Sequence, residues 1–560
     1  MQNKRKTLPA LLLAAALTLS AGCTSAAPQQ EVQNLPELSA SSLTAPVPAG
    51  GIKDITEALD VPPTEDSLIP AEPTAMNLEF TQTNSSAVWQ DGYAYVLSNS
   101  EFMILSAKNG AVELLSTTNF SSDKGDSDAY ELSNAIYVEN NRLAVVTNLS
   151  VFSGDGMTST SRCFAKIYDI SDRKAPVQLA DLGQDGVYQD SAVVNGVLYL
   201  ISIDALPALE DTPPLPGLRD NGADATIPVS RVYVCANPST TAYTLVSAIA
   251  LTDGRRTDAC AFTDGNYFTG IDESGIYLAR SVNLRAQSDS RTEEPYTVTS
   301  YATSVVTEIK KLSSKSSLTL LNSYNVDGQA LALDVTEGEV HLATAAAYSE
   351  YQIFTDQKYG WSNRLDGTQA QKNLLWILND GMQPVLQSDT LLPEGTLGAV
   401  YFSGSVCYAA ASGSSEMVRI DLSAQSAAPV ALDQASYHHL YAADAALLDL
   451  STAESALSLA RLGADGSFGS AYQPKDYTGE GYLFACSEDG ANALLYYNGA
   501  AHLLRIGEEI LESGMPAIGV HSATTILFEG DYLYACAPDS VCAVNLQNAE
   551  VSSQLSFGVG

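Results

Sequence analysis

A single phrase recurs along this chain: a polar turn, a short alternating strand rich in Tyr or Val, a second strand ending in an Asp-Leu-Ser-like turn, then a third. Clear copies are Asp91-Gly92-Tyr93-Ala94-Tyr95-Val96, Asn195-Gly196-Val197-Leu198-Tyr199-Leu200, Gly338-Glu339-Val340-His341-Leu342-Ala343 and Gly530-Asp531-Tyr532-Leu533-Tyr534-Ala535. One such unit cannot bury its own apolar face. It must stack against further copies, which restricts the fold to a radial or solenoidal β architecture.

Nine strand groups follow from the repeats: Val88 to Leu115, Ala135 to Leu182, Ser191 to Leu251, Ala261 to Tyr324, Leu331 to Leu391, Ala399 to Leu432, His439 to Tyr472, Tyr482 to Ile510, and Thr525 to Phe557. Propellers usually carry four to eight blades of four strands. The expectation is therefore an all-β propeller of four-stranded antiparallel sheets, with eight blades favoured and seven or nine as alternatives. Uneven spacing points to two long insertions, Pro207 to Pro228 and Tyr348 to Gln371, read as loops on one face where function concentrates.

Several groups close alike. Ile167-Tyr168-Asp169-Ile170-Ser171-Asp172-Arg173-Lys174-Ala175-Pro176-Val177 recurs as Val418-Arg419-Ile420-Asp421-Leu422-Ser423 through Pro429-Val430, with echoes at Asn379 and Asn545. An Asp or Asn that bonds to the backbone turns the chain, and Pro opens an outer strand whose N–H needs no partner. These phrases, with Val232-Tyr233-Val234, Ser274-Gly275-Ile276-Tyr277-Leu278 and Val340-His341-Leu342-Ala343-Thr344, resemble in their order the secreted bacterial proteins with a β-propeller domain distantly related to WD repeats. The resemblance runs over some 480 residues by the ordered-repeat rule. It implies an exported propeller and brings no catalytic site. The WD dipeptide is absent, and turns such as Ala443-Asp444-Ala445 depart from the pattern.

The N-terminus reads as an address. Lys4, Arg5 and Lys6 precede an apolar stretch from Leu8 to Leu19, and Ser20-Ala21-Gly22 precedes Cys23. Basic start, short apolar core and small-residue cleavage site make residues 1–22 an export signal too short to span a membrane. A Cys directly after Ala-Gly resembles a bacterial lipoprotein signal, in which Cys23 is the lipid attachment site; Ser20 stands where Leu is usual. Residues 23–75, rich in Ala, Ser and Pro, read as a disordered tether, and residues 76–560 as the propeller domain. The expected location is extracytoplasmic, on the cell membrane through the N-terminal lipid.

Charge narrows the partners. The chain has 28 Lys and Arg against 65 Asp and Glu, a net charge of −37. Loss of the leader's three cations moves it to about −40. Nucleic acid, whose phosphates need a basic surface, is therefore not an expected partner.

The sequence lacks the common catalytic signatures. The five histidines, His341, His438, His439, His502 and His521, have no paired zinc spacing, and no GxSxG elbow, Walker loop or dinucleotide fingerprint occurs. On a strand, His438 and His439 point to opposite faces. Asp123 to Asp128 can hold calcium or be simply an acidic loop. Of the cysteines beyond Cys23, namely Cys163, Cys235, Cys260, Cys407, Cys486, Cys536 and Cys542, several lie in strand-like runs as apolar filler, and Cys536 and Cys542 can bridge across a hairpin. No catalytic residue, metal or cofactor is assigned. The reading is a binding or scaffolding module for protein, peptide or glycan; the alternative is a peptide or glycan hydrolase with carboxylates at the central channel.

Overall fold

The computed structural model describes residues 38–60, 78–81 and 87–556, with interruptions at 98–99, 122–128, 153–158, 207–212, 266, 289, 315–316, 413, 415, 433–436, 444–445, 454–455, 464–466, 480, 521–523 and 538–539. The expected signal, Cys23, the Asp123 to Asp128 loop and His521 lie wholly or mainly outside these residues.

Nine antiparallel meanders follow one another: blade 1 (87–119), blade 2 (129–185), blade 3 (187–262), blade 4 (267–327), blade 5 (329–388), blade 6 (397–431), blade 7 (437–472), blade 8 (482–514) and blade 9 (525–556). Each of the nine strand groups in the sequence falls on one blade, except that Ala261, the expected start of the fourth group, lies in Arg255–Phe262, the last strand of the blade 3 meander. The favoured count of eight is therefore corrected to nine among the described residues. Blades 4 and 5 share one nine-stranded sheet because their strands Tyr296–Leu312 and Glu339–Asp356 outrun the ring and pair with each other from Tyr296↔Asp356 to Ser304↔Tyr348.

Alternation along the strands explains the ring. In blade 8, Ala493, Leu495 and Tyr497 pack on blade 7, while Leu494 between them packs on blade 9. Both faces of a middle strand are thus buried, which is why these strands read as nearly continuous apolar runs. Nine apolar clusters join successive blades, and the ninth closes the circle. In that seam Trp89 of blade 1 stacks on Tyr534 of blade 9 at 4.9 Å.

The turn chemistry is as expected. Asp169 Oδ1 accepts from Ser171 N at 2.8 Å, Asp421 Oδ1 from Ala424 N at 2.8 Å, and Asn545 Oδ1 from Gln547 N at 2.8 Å. Hydrogen bonds from the Ser171 side chain and backbone hold the Asp169 carboxyl below its ordinary range, and those from the Ala424 backbone and Ser423 side chain do the same for Asp421. Outer strands carry one extra residue, a β-bulge, in seven blades, at Leu115, Leu179, Thr257, Leu321, Val385, Ser513 and Ser552. Each bulge adds local twist to the rim.

Three expectations need correction. Within the expected tether, residues 38–60 are folded onto the body. Val47–Pro48 pairs with Val232–Val234 at the outer edge of blade 3, and the helix Ile52–Leu59 buries Ile55 and Leu59 completely against Val232, Tyr243 and Ala261. Two apolar residues four apart give that helix one buried face, enough to dock it. Second, Tyr348 to Gln371 is no loop but lies in two of the four strands of a β extension made by Ile276–Gln287, Tyr296–Leu312, Glu339–Asp356 and Ser362–Leu378. A ladder stiffens it: Arg285 lies 4.4 Å over Tyr301, Tyr301 stacks on Tyr351 at 5.1 Å, and Arg364 lies 3.9 Å over Tyr351. Third, Cys536 and Cys542 do not bridge. Cys536 is opposite Val541 and Ala535 opposite Cys542, so the one-residue offset sends the two thiols to opposite faces, toward blade 1 and blade 8. All seven cysteines after Cys23 are free and buried.

Candidate functional site

In a four-stranded meander the first and third turns leave one rim, and the second turn and the link to the next blade leave the other. The first rim carries tight turns. Asp91-Gly92, Asn195-Gly196 and Glu337-Gly338 each place two residues at positive φ, the geometry of two-residue hairpins. The second, the loop rim, receives the two largest additions among the described residues. The hairpin Gly217–Asp220 and Ala223–Thr226 leaves blade 3 there and pairs with Val177–Asp185 of blade 2, stapling the two blades. The β extension rises from the same rim.

Three blade-to-blade links on the loop rim repeat one device. Asp185-Gly186, Asp264-Gly265 and Asp327-Gly328 each offer the Asp carbonyl to a hydroxyl on a neighbouring strand: Ser202 Oγ at 2.7 Å, Thr244 Oγ1 at 2.7 Å and Thr344 Oγ1 at 2.8 Å. The carboxylates hold the added segments. Asp185 accepts from Gly217 N of the stapling hairpin at 2.7 Å and pairs with Arg162 at 2.8 Å. Asp327 accepts from Ala40 N at 2.9 Å, fixing the N-terminal segment.

Asp264 anchors a fully buried ion network between blades 3 and 4. Arg280 Nη1 reaches Asp264 at 2.5 Å and its Nε reaches Glu308 at 2.6 Å; Lys310 Nζ lies 2.8 Å from Glu308 and 3.0 Å from Tyr267 Oη. Arg280 Nη2 also donates to Ala236 O at 2.6 Å. Burial alone would raise Glu308, but Lys310 and Arg280 overcome it and hold the carboxyl low. Burial pushes the Tyr267 hydroxyl well up. With two cations on two carboxylates and no opening to solvent, the network suits a clamp. A second buried pair, Lys166 with Glu131 at 2.8 Å, holds blade 2.

The channel mouth on the loop rim is different. Innermost strands start at this rim, and in blades 2, 3 and 4 their first residues expose large apolar groups: Tyr130 and Leu132, Val187, and Phe268, joined by Phe152 at the end of the second strand of blade 2. Exposures run from 39% to 54%, which sets them apart from the buried rings of the blades. Tyr130 and Phe152 stack at 5.6 Å. Beneath them a bulge at Gln189 re-aims two polar side chains across to blade 4, where Gln189 Nε2 donates to Tyr267 O at 3.2 Å and Asp190 Oδ2 accepts from Thr269 Oγ1 at 2.5 Å. Burial raises the Asp190 carboxyl. Ser191 Oγ sits between Tyr137 Oη at 3.0 Å and Tyr188 Oη at 3.1 Å.

The histidines are dispersed. His438 is buried with Nδ1 2.9 Å from Asp449, while His439, on the other face, meets Tyr482 edge-on at 5.9 Å. His502 stacks on Tyr497 at 4.2 Å, and His341 lies against Phe402 at 5.8 Å. Among the described residues no three His, Cys, Asp or Glu side chains converge on a metal position. Sequence reading overlooked the buried ion network. Its signal was present: Arg280, Glu308 and Lys310 stand inside otherwise apolar strand runs, where a charge must find a partner.

Comparison with known proteins fits this architecture. The family model described as a β-propeller domain matches residues 86–411, more than half of the chain. No curated protein matches. Among solved structures, apo AztD from Citrobacter koseri is similar at 9% identity over 83% of this chain and 94% of that one, with a TM-score of 0.35. Sqt1 from Saccharomyces cerevisiae is similar at 9% identity over 79% and 96%, with a TM-score of 0.31. Continuous four-stranded blades, their ring of shared apolar clusters and the family match lead to one conclusion: the chain belongs to the β-propeller domain family.

Proposed function

We propose that this propeller is a lipid-anchored, extracytoplasmic binding or scaffolding module that presents the channel mouth of its loop rim to a protein, peptide or glycan. The observation that carries the reading is the set of exposed apolar side chains, Tyr130, Leu132, Val187 and Phe268 at the start of three consecutive innermost strands, with Phe152 at the end of the second strand of blade 2. In a chain of net charge −37, such a patch on the rim that gathers the insertions is a recognition surface in character. The anchor rests on the sequence around Cys23.

The test compares the full chain with a Leu132→Asp, Phe268→Asp variant, each crosslinked in intact cells. Loss of one defined crosslinked species at unchanged thermal midpoint supports the reading; identical crosslinking patterns would remove the mouth as the binding surface. Cys23→Ala should move the protein from the membrane fraction to the soluble one, and unchanged membrane association would end the lipid assignment.

A hydrolase reading draws on one observation. Burial, reinforced by Asp185, pushes the Asp204 carboxyl up to about 6, the range of a general acid. Asp185 is engaged by Arg162 and Gly217, so it is not a free partner for Asp204. Asp204→Asn should leave binding intact, whereas loss of a peptide- or glycan-cleaving activity would favour the enzyme.

A further inference from the structure

The chain enters the described fold at the foot of the β extension. Ser304 Oγ donates to Leu38 O at 3.1 Å and Asn325 Nδ2 to Leu43 O at 2.8 Å, and Leu43 is buried against Val282, Leu284 and Val306. From Cys23 to Leu38 the chain can span about 50 Å at most. A lipid on Cys23 therefore leaves the body from the loop rim. The extension leaves it there too: from Ser304 out to Tyr296 its strand covers about 26 Å.

The far end of that extension has an unusual composition. Residues 357–365, Gln-Lys-Tyr-Gly-Trp-Ser-Asn-Arg-Leu, are exposed throughout. Tyr359 is 69% exposed, Trp361 42% and Leu365 54%. The stretch has two cations, Lys358 and Arg364, between Asp356 and Asp366; Arg364 Nε pairs with Asp366 at 2.7 Å, and Lys358 lies 4.9 Å over the Tyr359 ring. The rings are held rather than loose: Trp361 meets Tyr296 edge-on at 5.7 Å, and Tyr296 meets Phe354 at 6.3 Å. Exposed Trp and Tyr flanked by cations is the composition of a membrane–water interface, and anionic headgroups, which the rest of the body repels, would be tolerated here.

We propose that the tip at Tyr359 and Trp361 rests in the headgroup layer of the bilayer that holds Cys23, so that the acyl chains and the tip fix the propeller at two points with its loop rim toward the membrane. The inference rests on the lipid anchor proposed above. It gives the body one orientation, and sets the channel mouth over the gap between ring and lipid.

The experiment uses the acylated full chain in vesicles of phosphatidylethanolamine and phosphatidylglycerol, with part of the lipid brominated near the headgroup. The Trp361 signal is the difference between the wild type and Trp361→Phe, since Trp89 and Trp376 remain in both. The expected result is at least twofold quenching of that signal by bromolipid, with a blue shift, and loss of the quenching in Tyr359→Ser, Leu365→Ser, which keeps Trp361; the thermal midpoint should be unchanged. An unquenched Trp361 in protein that floats with the vesicles overturns the tip contact and leaves the anchor standing. An N-terminal peptide without acyl mass overturns the anchor itself. Shielding of Trp361 from aqueous iodide by peptidoglycan fragments, without bromolipid quenching, would assign the tip to glycan and overturn the bilayer contact.

Discussion

Thr344 Oγ1 donates to the carbonyl of Asp327 at 2.8 Å, tying blade 5 to the end of blade 4. Gly328 follows with φ at +100°, and a Cβ there would lie 2.7 Å from Ala346 N; Gly186, with φ at +98°, would place one 2.5 Å from Ile203 O. Backbone, unlike a flexible side chain, cannot give way cheaply. Gly186→Ala and Gly328→Ala should each lower stability by about 2–4 kcal/mol, from left-handed strain plus the clash. Gly196→Ala is the control, since it has φ at +77° and nothing within 4 Å, and should cost about 1 kcal/mol. Urea unfolding measures all three; equal losses would remove any special role for the blade links.

Arg280 supplies the charge that Asp264 and Glu308 both need inside the protein. Arg280→Met should cost about 3–5 kcal/mol, because it strands buried carboxylates. Arg280→Lys keeps the charge but loses the fork that reaches both carboxylates and the Ala236 carbonyl, so it should recover only part of that loss. Since the side chains are fully buried, added salt should change neither difference. A Met variant as stable as the wild type would contradict the clamp.

Asp204 gives stability a defined pH slope. Its folded value of about 6 lies above the unfolded carboxyl value of about 3.9, so the protonated form favours folding. The contribution is complete below pH about 4 and is lost as pH rises through 6, by roughly 3 kcal/mol at most. Asp204→Asn stays neutral and should gain on the wild type as pH rises from 4 to 7. Paired urea midpoints at the two ends of that range are the measurement, and parallel curves would show that Asp204 does not titrate as stated.

The blades were legible because each is a local statement: Asp-Gly or Asn-Gly turns, alternating strands, then Asp-x-Ser closure. Ring size was less legible, because it depends on whether strands such as Glu339–Asp356 serve one blade or join two. The site was hidden for a related reason. Tyr130, Val187 and Phe268 are 57 and 81 residues apart in sequence, and nothing local marks them as exposed; only the common starting rim of three innermost strands brings them to one mouth. Cys536 and Cys542 failed as a pair through register, which a turn signal alone does not fix.

The segment 38–60 was read as tether because its composition is poor in aromatics, yet Ile55 and Leu59 are fully buried. Ile55→Ala and Leu59→Ala should each cost about 2–4 kcal/mol of docking free energy. The expected readout is local: backbone amides of Ile52–Leu59 and Val232–Val234 lose hydrogen-exchange protection while the blades keep theirs. Equal exchange in the wild type and both variants would return the segment to the status of a tether.

Closure of the ring is the last point at which chain order matters. Blades 1 and 9 are each complete meanders, so no shared strand crosses their seam; it is held by side chains, with Ser552 Oγ donating to Gly110 O at 2.8 Å and Val112 N to Ser553 Oγ at 3.2 Å. The strand Leu78–Thr81, however, pairs in parallel with Tyr437–Ala443, the innermost strand of blade 7, although the chain begins blade 1 at Ala87. A strand that precedes blade 1 in the chain thus adds to blade 7, which makes it a clasp between the two ends of the ring. Replacing 78–81 by Gly and Ser should lower the thermal midpoint by about 2 °C or more and speed proteolysis within blades 1 and 9 ahead of the others. Because those two blades alone have a neighbour joined without a covalent link, cleavage spread evenly over all nine would show that the seam never opens first and that the clasp does not hold it.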